Sequence, residues 1–354
     1  MTACFSGSYD PADVTFLLTP IDLPTTSIAE KEALMREGRH YSEILSAEVP
    51  PSPDYLAAYH SALAENAERL ATDICALASA LAERPSSPAG LVLVSFARAG
   101  TPIGVLINRA LCRTGKQVTH YSISIVRDRG IDPAALAYVL ARHAPSDVVF
   151  IDGWTGKGAI SRELRGSIDL LRLGVNPYLV VVADPAGQAD LAATGEDYLI
   201  PSGILNGIVS GLVSRSVIVP EFPPEVFHAC RVLHELADQD LSREFVETID
   251  RIARRLPFVP PAQWPEPKRA QRARSCARLV ESLQARYRIA DVNLIKPGLA
   301  ETTRAVLRRN PRVVLMACES SEELVHLLLL CAENNVPVDR TSDLENYLAV
   351  AILA

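Results

Sequence analysis

Short β-rich runs alternate with helical stretches over residues 90–184, and this alternation constrains the fold more than any other feature of the chain. The runs are LVLVSFA, HYSISIV, DVVFID and PYLVVVAD, and helical patterns such as IGVLINRALCRTG and AISRELRGSIDLL separate them. Parallel strands need crossover connections of about a dozen residues, usually a helix. The spacing therefore predicts an α/β fold with a parallel sheet and flanking helices.

The chain has 354 residues, which exceeds one usual domain. The sequence patterns divide it into three regions. FVPPAQWPEPK has four prolines in eleven residues and predicts a linker, which a basic helical segment follows. Strand and helix patterns alternate again beyond it. We predict an α/β domain with an N-terminal helical extension over residues 1–256, a linker and basic helix over 257–288, and a small α/β domain over 289–354.

Local signals also predict the first helix. Ser27 and Glu30 form an S-x-x-E capping box, and Gly38 follows the helical pattern as a C-cap. We therefore expect a helix from about Ser27 to Glu37.

Composition excludes several classes of protein. Hydrophobic residues make up 48% of the chain and charged residues 22%, which is typical of a globular protein with a large core. The net charge of −7 argues against a chain that is basic throughout, so any nucleic-acid contact must be regional. No apolar run reaches the ~18 residues that span a bilayer, and no secretory signal is evident, so we predict a cytoplasmic protein without a membrane segment.

The seven cysteines are odd in number and scattered, and no two are spaced as CxxC. This pattern argues against a disulfide framework or a zinc site. Most of them are expected to be reduced thiols packed as small hydrophobes. Cys4 is the one cysteine that we single out for reactivity.

The motif VVFIDGWTGKGAI joins a buried strand to a helix through a glycine-rich turn. It is not a Walker A motif, because Ile151 stands where a glycine is needed and Gly158 where a hydroxyl is needed. It resembles the loop with which type I phosphoribosyltransferases hold the 5′-phosphate of phosphoribosyl pyrophosphate at a helix N-terminus. The matching residues are Thr155, Gly156, Lys157, Gly158 and Ala159.

Two consequences follow from that resemblance. Asp152 matches the first acidic position and would orient the ribose hydroxyls, with Mg²⁺ held indirectly through phosphoribosyl pyrophosphate. Those enzymes usually carry two adjacent acids, and Gly153 stands at the second position. The alternative interpretation is a tight strand-to-helix turn in an ordinary α/β domain.

Two other loops are expected at the same edge of the sheet. SFARAGTP lies where the resemblance places a pyrophosphate loop, and its candidate ligands are Arg98, Ala99, Gly100 and Thr101. RDRGID lies where those enzymes carry a mobile loop, so Arg127 and Arg129 would neutralise the departing pyrophosphate. A solvated charged loop is the alternative for RDRGID.

The segment DYLIPSGILNGIVSGLVSRS is rich in glycine and hydroxyl groups and follows the last strand of the series. It is a candidate substrate pocket, in which Ser202, Asn206 and Ser214 would offer hydrogen bonds and Arg215 a charge. Packing of glycine-rich helices explains the composition nearly as well.

Taken together, GRHYSEIL, LVSFARAGTPIG, HYSISIVRDRGID, VVFIDGWTGKGAI and EDYLIPSGILNGIVSGLVSRS resemble the phosphoribosyltransferase-like family of bacterial tellurium-resistance-type operons. Members of this family are also labelled cysteine protease StiP. The resemblance covers roughly residues 5–260. It implies a type I phosphoribosyltransferase-like fold, a homodimer, and a part in making a nucleoside-like metabolite for stress responses.

KPGLAETTRAVLRRNPRVVLMA and CAENNVPV resemble the Pelota type of RNA-binding domain. Related domains read kinked RNA with the pattern G-x-N-E-x-x-K. Gly298, Glu301 and Arg304 fall on this pattern, whereas Ala300 replaces the asparagine. Lys296, Arg304, Arg308 and Arg309 would engage phosphates, and a solvated basic helix face is the alternative.

The resemblance gives three functional hypotheses. The first is a phosphoribosyltransferase that uses Mg²⁺ and phosphoribosyl pyrophosphate to make or break the bond at the anomeric carbon of ribose 5-phosphate. The second is a ligand sensor or RNA-binding regulator that has kept the pocket without the chemistry. The third is a cysteine protease, for which no cysteine has a histidine partner by motif.

Overall fold

The computed structural model describes residues 4–261, 265–318 and 322–353. Residues 262–264 of the expected linker and residues 320–321 of the last helical pattern lie outside the described residues. The strands up to residue 230 are β1 (Thr15–Leu17), β2 (Thr19–Pro20), β3 (Thr25–Thr26), β4 (Leu45–Ser46), β5 (Leu91–Ala97), β6 (Val118–Val126), β7 (Gly130–Ile131), β8 (Val148–Trp154), β9 (Leu179–Ala183), β10 (Leu191–Thr194) and β11 (Ala229–Cys230). The helices up to residue 253 are α1 (Ile28–Arg36), α2 (Pro53–Ala82), α3 (Gly100–Arg113), α4 (Pro133–Leu140), α5 (Ala159–Leu171) and α6 (Ser242–Ala253).

The main sheet has the order β1-β6-β5-β8-β9-β10, and every pair on this path is parallel. The predicted parallel sheet with flanking helices is therefore confirmed. Strands β5 and β9 are buried along nearly their whole length, since helices cover both faces of the sheet. Continuous apolar runs such as LVLVSFA reflect this two-sided burial.

Strand register places the candidate loops at one edge. Val94 pairs with Phe150, and Ser95 pairs with both Ser122 and Ile151, so β5, β6 and β8 end side by side. The loops that begin at Arg98, Arg127 and Thr155 consequently meet at the carboxyl edge of the sheet.

The loop that follows β6 is a short hairpin, and its mobility stays a prediction. Strand β7 turns back and pairs with β6 in antiparallel register, with Val126 opposite Gly130. Asp132 then caps α4 by accepting hydrogen bonds from the amides of Ala134 and Ala135. This short hairpin anchors the RDRGID segment at both of its ends.

The N-terminal extension packs against the sheet. Helix α1 begins with the predicted capping box of Ser27 and Glu30 and ends within one residue of the expected position, so that prediction is confirmed. The long helix α2 has Ser52 as N-cap and contacts α3 and α6. No described helix is long and apolar enough to cross a membrane.

A smaller unit follows, which we call the C-terminal unit (residues 265–318 and 322–353). Its elements are α7 (Glu266–Tyr287), β12 (Ile295–Pro297), α8 (Leu299–Arg308), β13 (Pro311–Ala317), α9 (Val325–Glu333), β14 (Val338–Thr341) and β15 (Ala349–Leu353). The strands form a mixed sheet in the order β12-β15-β13-β14. Leu299, Val306 and Leu327 share one hydrophobic core with α2, so this unit packs directly on the main-sheet domain.

Candidate functional site

A cavity of about 270 Å³, which we call the junction cavity, opens where the C-terminal unit meets the carboxyl edge of the main sheet. Residues 154–161 after β8 form one wall, and residues 295–297, Glu301 and Arg308 of the C-terminal unit form the other. The remaining lining residues are Tyr41, Ala99, Ile125, Arg127, Asp152 and Leu179. The two regions that the sequence singled out separately thus face each other across one site.

The glycine-rich turn is tied to the C-terminal unit through its lysine. The Lys157 ammonium donates hydrogen bonds to the carbonyl oxygens of Val292 and Ile295, the second at 2.8 Å. The Tyr347 hydroxyl donates to the Gly156 carbonyl at 2.7 Å. Burial, with Lys296 and Arg127 nearby, lowers the pKa of Lys157 to about 7. The hydrogen-bond acceptors of the Lys157 ammonium are therefore backbone oxygens of the C-terminal unit.

The turn itself is held by the main-sheet domain. The Thr155 hydroxyl donates to Asp184 at 2.5 Å, and the Thr155 amide donates to Ala183 at 2.9 Å. Gly158 is the N-cap of α5 and has φ 74°, a backbone conformation that favours glycine. Ala159 is the first residue of that helix. The sequence pattern therefore identified the turn correctly as a strand-to-helix connection.

Asp152 lies at the end of β8 with its carboxylate beside the C-terminal unit. It accepts a hydrogen bond from the Gly153 amide at 2.8 Å, and burial raises its pKa to about 7. Arg304 opposes this increase, whereas Glu301 adds to it. Because Gly153 occupies the neighbouring position, Asp152 has no second carboxylate beside it in sequence.

Trp154 joins the turn to α8. Its indole nitrogen donates to Glu301 at 3.4 Å, and the Arg304 guanidinium lies 4.9 Å above its ring. Burial opposes ionisation of Glu301, but Lys296 and Arg304 hold its pKa below the ordinary value. Burial also lowers the pKa of Lys296 to about 8. The residues of the predicted RNA-reading pattern therefore face the junction.

Gly298 and the Asp197 carboxylate hold the start of α8 in place. Gly298 has φ 101°, and its amide donates to Ala349 at 2.9 Å. The carboxylate of Asp197, from the main-sheet domain, accepts hydrogen bonds from the amides of Leu299 at 3.0 Å and Leu348 at 2.8 Å. Burial raises the pKa of Asp197 to about 7. This carboxylate was not expected from the sequence, because no motif marks it.

The loop after β5 is turned inward. Arg98 is buried and donates to Glu48, to the Val213 carbonyl at 3.2 Å and to Asn206 at 3.3 Å. Gly100 is the first residue of α3, and Thr101 is hydrogen-bonded to Ser122 at 2.7 Å inside the core. Arg98 thus connects loops of the main-sheet domain, and Glu48, its ion-pair partner, had no sequence signal.

The two arginines of the β6 loop have different surroundings. Arg127 lines the junction cavity, where its guanidinium lies 5.1 Å above the Tyr41 ring and 3.5 Å from Asp128. Arg129 is half exposed, 3.6 Å from Glu43, and does not line the cavity. The structure therefore brings Arg127, and not Arg129, to the site.

The residues of the candidate substrate pocket also lie in different places. Asn206 and Arg215 line a second cavity, where the Arg215 guanidinium donates to the Tyr41 carbonyl at 2.7 Å. Ser214 donates to the Arg215 carbonyl, and Ser202 is buried with no partner for its hydroxyl. Neither serine lines either of the two cavities.

The donor set of the junction cavity does not suit Mg²⁺. Its carboxylates are Asp152 and Glu301, and Arg304 and Lys296 lie next to them. Among the described residues, no group of three or more histidine, cysteine or acidic side chains is arranged to hold a metal.

The cysteines lie away from both cavities, since no residue that lines either cavity is a cysteine. All seven are free, and Cys75, Cys230, Cys276 and Cys331 are buried. Burial raises the pKa of Cys230 to about 12 and that of Cys331 to about 11, so both stay protonated thiols at neutral pH. Cys4, Cys112 and Cys318 are exposed.

Cys4 lies in a cluster with two tyrosines, an arginine and a histidine, which we call the thiol cluster (Cys4, Tyr121, Tyr138, Arg142 and His143). The Cys4 sulfur is 3.7 Å from the Tyr138 hydroxyl, and the Tyr121 hydroxyl is 3.1 Å from Nε2 of His143. Arg142 lies 3.5 Å above the Tyr138 ring. Within the described part of the chain, no cysteine sulfur is directly hydrogen-bonded to a histidine.

A family model and a similar protein agree on one family for this chain. A family model described as "Tellurite-like stress resistance cysteine protease StiP" matches residues 7–250, and one described as "PELOTA RNA binding domain" matches residues 274–354. A protein of Acinetobacter baylyi named "Cysteine protease StiP" is 40% identical over 362 residues, which cover 99% of this chain and 94% of that protein.

Among solved structures, a hypoxanthine phosphoribosyltransferase from Trypanosoma cruzi in complex with the product IMP is similar with a TM-score of 0.30 and 17% identity. The match covers 38% of this chain and 73% of that one. A likeness this low gives no information on activity.

These comparisons correct the expected activity. The predicted phosphoribosyltransferase function, with its enzyme class and with the Mg²⁺ and phosphoribosyl pyrophosphate chemistry that described it, is wrong, because the relative that aligns with nearly the whole chain is named a cysteine protease. The motifs indicated the family correctly, but the turn suggested an activity that the family's name does not carry. The chain belongs to the StiP family of tellurite-like stress resistance cysteine proteases.

Proposed function

We propose that this protein is a cysteine-dependent peptide hydrolase whose nucleophile is Cys4. One observation carries the assignment: Cys4 is an exposed thiol in a cluster that also holds a histidine, reached through two tyrosines. The family name calls for a cysteine nucleophile. The buried cysteines are unsuitable because a peptide has no access to them.

The other two exposed cysteines have less suitable surroundings. Cys112 lies on α3, where its sulfur is 3.7 Å from the Asn108 side chain and burial raises the pKa of the thiol. Cys318 directly follows β13. Within the described residues no cysteine sulfur, that of Cys4 included, is hydrogen-bonded to a histidine, so the choice of Cys4 rests on the tyrosine hydroxyl at its sulfur and on the histidine in the same cluster.

The chemistry assigns a role to each member of the thiol cluster. The Cys4 sulfur attacks the peptide carbonyl carbon, and its proton passes through the surrounding solvent to His143, whose Nε2 atom is hydrogen-bonded to the Tyr121 hydroxyl. The protonated imidazole returns the proton to the departing amine, and a water molecule then hydrolyses the thioester. The Tyr138 hydroxyl, in contact with the sulfur, and the Arg142 charge stabilise the thiolate.

His143 is suited to accept a proton at neutral pH. Burial lowers the pKa of its imidazole, Asp147 opposes this effect, and Arg142 strengthens it. The ring is therefore neutral above its ordinary titration range. Its Nδ1 atom is buried without a partner, and Nε2 is hydrogen-bonded to Tyr121.

Cleavage of an unfolded protein, such as fluorescently labelled casein, tests the assignment. We expect Cys4→Ser to lower the rate at least 100-fold, because a hydroxyl is a far weaker nucleophile in a site built for a thiolate. Cys112→Ser and Cys318→Ser are matched controls, since both change an exposed thiol. Full activity of Cys4→Ser, or equal loss in a control variant, would contradict the proposal.

A second candidate function is RNA binding by the C-terminal unit, which the match of residues 274–354 to the Pelota RNA-binding domain supports. Lys296 lines the junction cavity, whereas Arg274 and Arg286 on α7 are exposed and accessible to RNA. We expect filter retention of structured RNA at low salt that decreases at high salt, and weaker retention for Arg274→Gln. No retention at low salt would contradict it.

We also propose that the main-sheet domain has the type I phosphoribosyltransferase-like arrangement, without that activity, on residues 1–256, with the linker and basic helix on 257–288 and the Pelota-like domain on 289–354. The parallel strand order and the turn after β8 support this arrangement. The expected homodimer and cytoplasmic location stay predictions.

A further inference from the structure

A second cavity, of about 660 Å³, adjoins the junction cavity through Arg308, which lines both. We call it the apolar cavity. Its walls come from the N-terminal segment, the loop after β10 and the C-terminal unit, and include Leu45, Val49, Ile204 and Leu330. Cavities of about 300–1,000 Å³ with mostly apolar walls and a few polar groups are typical of sites for small organic ligands.

Three arginines line the apolar cavity together with one neighbouring carboxylate. Arg98 pairs with Glu48, and Arg98 and Arg308 both donate to the same Asn206 oxygen, at 3.3 and 2.6 Å. Arg215 lines the same cavity, and its pKa is lowered to about 10 by burial and by Arg98, while Glu48 opposes this. The guanidinium groups are therefore close enough to repel one another.

The charge at this end of the cavity is not balanced. Glu48 is the only carboxylate among the described residues that pairs with Arg98, and the Arg98 and Arg308 charges hold the pKa of Glu48 below its ordinary value. The other charged residues that line the cavity, Lys31 and Glu333, have opposite signs and add no net charge. Two positive charges remain in excess.

One donor in this cluster lacks an acceptor. Arg98 is 4% exposed, and its Nε atom is buried with no hydrogen-bond partner. A buried charged donor without an acceptor is unfavourable, and neighbouring like charges add to the cost. A ligand with negatively charged oxygens balances the excess charge of the arginines that line the cavity, since guanidinium groups bind such oxygens in paired geometry.

We propose that the apolar cavity binds an amphipathic organic anion, with its charged head at Arg98, Arg215 and Arg308 and its apolar body against Leu45, Val49 and Leu330. Arg98 belongs to the main-sheet domain and Arg308 to the C-terminal unit. Binding therefore holds the two parts together. Carboxylate and phosphate monoester heads share the required chemistry. The site does not involve Cys4, so it is independent of the proposed hydrolase function.

Isothermal titration calorimetry with the full chain tests this site. The probes are decanoate, decyl phosphate and decanol, each below its micelle concentration, and the first two distinguish a carboxylate from a phosphate head. We expect saturable binding of at least one anion and no binding of the neutral alcohol. Absence of binding by both anions, or binding of decanol as tight as that of the anions, would overturn the proposal.

Two variants locate the site. Arg308→Gln removes one charge, and Val49→Glu places a negative charge at a residue that is 81% exposed and therefore tolerant of substitution. We expect each to weaken binding of the anion at least tenfold. Arg251→Gln, on the exposed face of α6, is the matched control and is expected to leave affinity unchanged. Unchanged affinity in Val49→Glu, or equal loss in the control, would overturn the proposal.

Discussion

The junction cavity and the thiol cluster differ in how they are built and in what they contain. The junction cavity is enclosed by two domains, and its lining includes Asp152, Lys157, Glu301 and Arg308. The thiol cluster lies at the surface and consists of one exposed cysteine with two tyrosines, an arginine and a histidine. Tyr121 lies in the first half of β6, whereas the cavity lies beyond the end of that strand.

The comparison teaches that a charged pocket at the edge of a parallel sheet and the cysteine proposed for the chemistry can lie in different places. The junction cavity has charge and enclosure without a cysteine, and the thiol cluster has the proposed nucleophile without enclosure. A sequence motif on a parallel sheet indicates where a ligand site forms. It does not indicate which reaction the chain performs, because the reaction depends on the side chains present.

The largest expected effect tests the thiol cluster. We expect His143→Ala to lower kcat/KM for peptide cleavage by on the order of 100-fold, because the thiol loses its proton acceptor. His60→Ala is the matched control, since His60 is an exposed histidine that pairs with Glu244 on the surface. Initial rates with a peptide substrate measure the effect. Equal rates for the two variants would show that His143 is not the base.

The next effect tests the closed junction. Lys157→Ala removes the side-chain hydrogen bonds to the Val292 and Ile295 carbonyls, and we expect a loss of about 1–3 kcal/mol in the free energy of unfolding. Lys116→Ala is the matched control, because Lys116 also donates to two carbonyls, those of Ala82 and Arg84, but within the main-sheet domain.

Hydrogen–deuterium exchange separates the two lysine variants. Faster exchange in residues 295–304 is expected for Lys157→Ala and not for Lys116→Ala. If exchange in this segment is unchanged in both variants, the lysine does not hold the C-terminal unit on the turn.

A smaller loss of stability is expected from a substitution at Gly156 than from Lys157→Ala, and Gly153 serves as its control. A Cβ atom at Gly156 would lie 2.8 Å from Cγ of Glu301 and 3.2 Å from the Pro297 carbonyl oxygen, whereas at Gly153 the nearest atom is 3.6 Å away. We expect Gly156→Ala to cost about 1 kcal/mol in stability and Gly153→Ala less than about 0.5 kcal/mol. Chemical denaturation measures both, and equal costs would mean that the junction tolerates the added methyl group.

The smallest effect is a shift in pH dependence. Burial lowers the pKa of His143 from its ordinary value of 6.5, with Arg142 adding to the effect. Because the neutral imidazole is the proton acceptor, activity persists below pH 6.5 and declines only as the pH falls through the lowered pKa. We expect Arg142→Gln to move this decline to higher pH, since a positive neighbour is removed. A decline that starts above pH 6.5 in the unmodified protein would contradict the assignment.

The sequence by itself determined the local structure. Apolar runs such as LVLVSFA predicted parallel strands because burial on both faces leaves no alternating pattern, and the capping box of Ser27 and Glu30 defined the start of α1. Gly158 has a positive φ in the turn, a backbone conformation that favours glycine. The motifs also identified the family, since their order along the chain is specific.

Only the tertiary structure decided what those residues contact. Lys157 binds carbonyl oxygens of a segment 135 to 138 positions away, and Arg98 pairs with Glu48, which no motif marks. Likewise Glu301 faces Trp154 across the junction, and Cys4 reaches Tyr138 from 134 positions away. Such contacts join residues that are distant in sequence, because they arise from packing between elements. Neither periodicity nor spacing along the chain can therefore predict them.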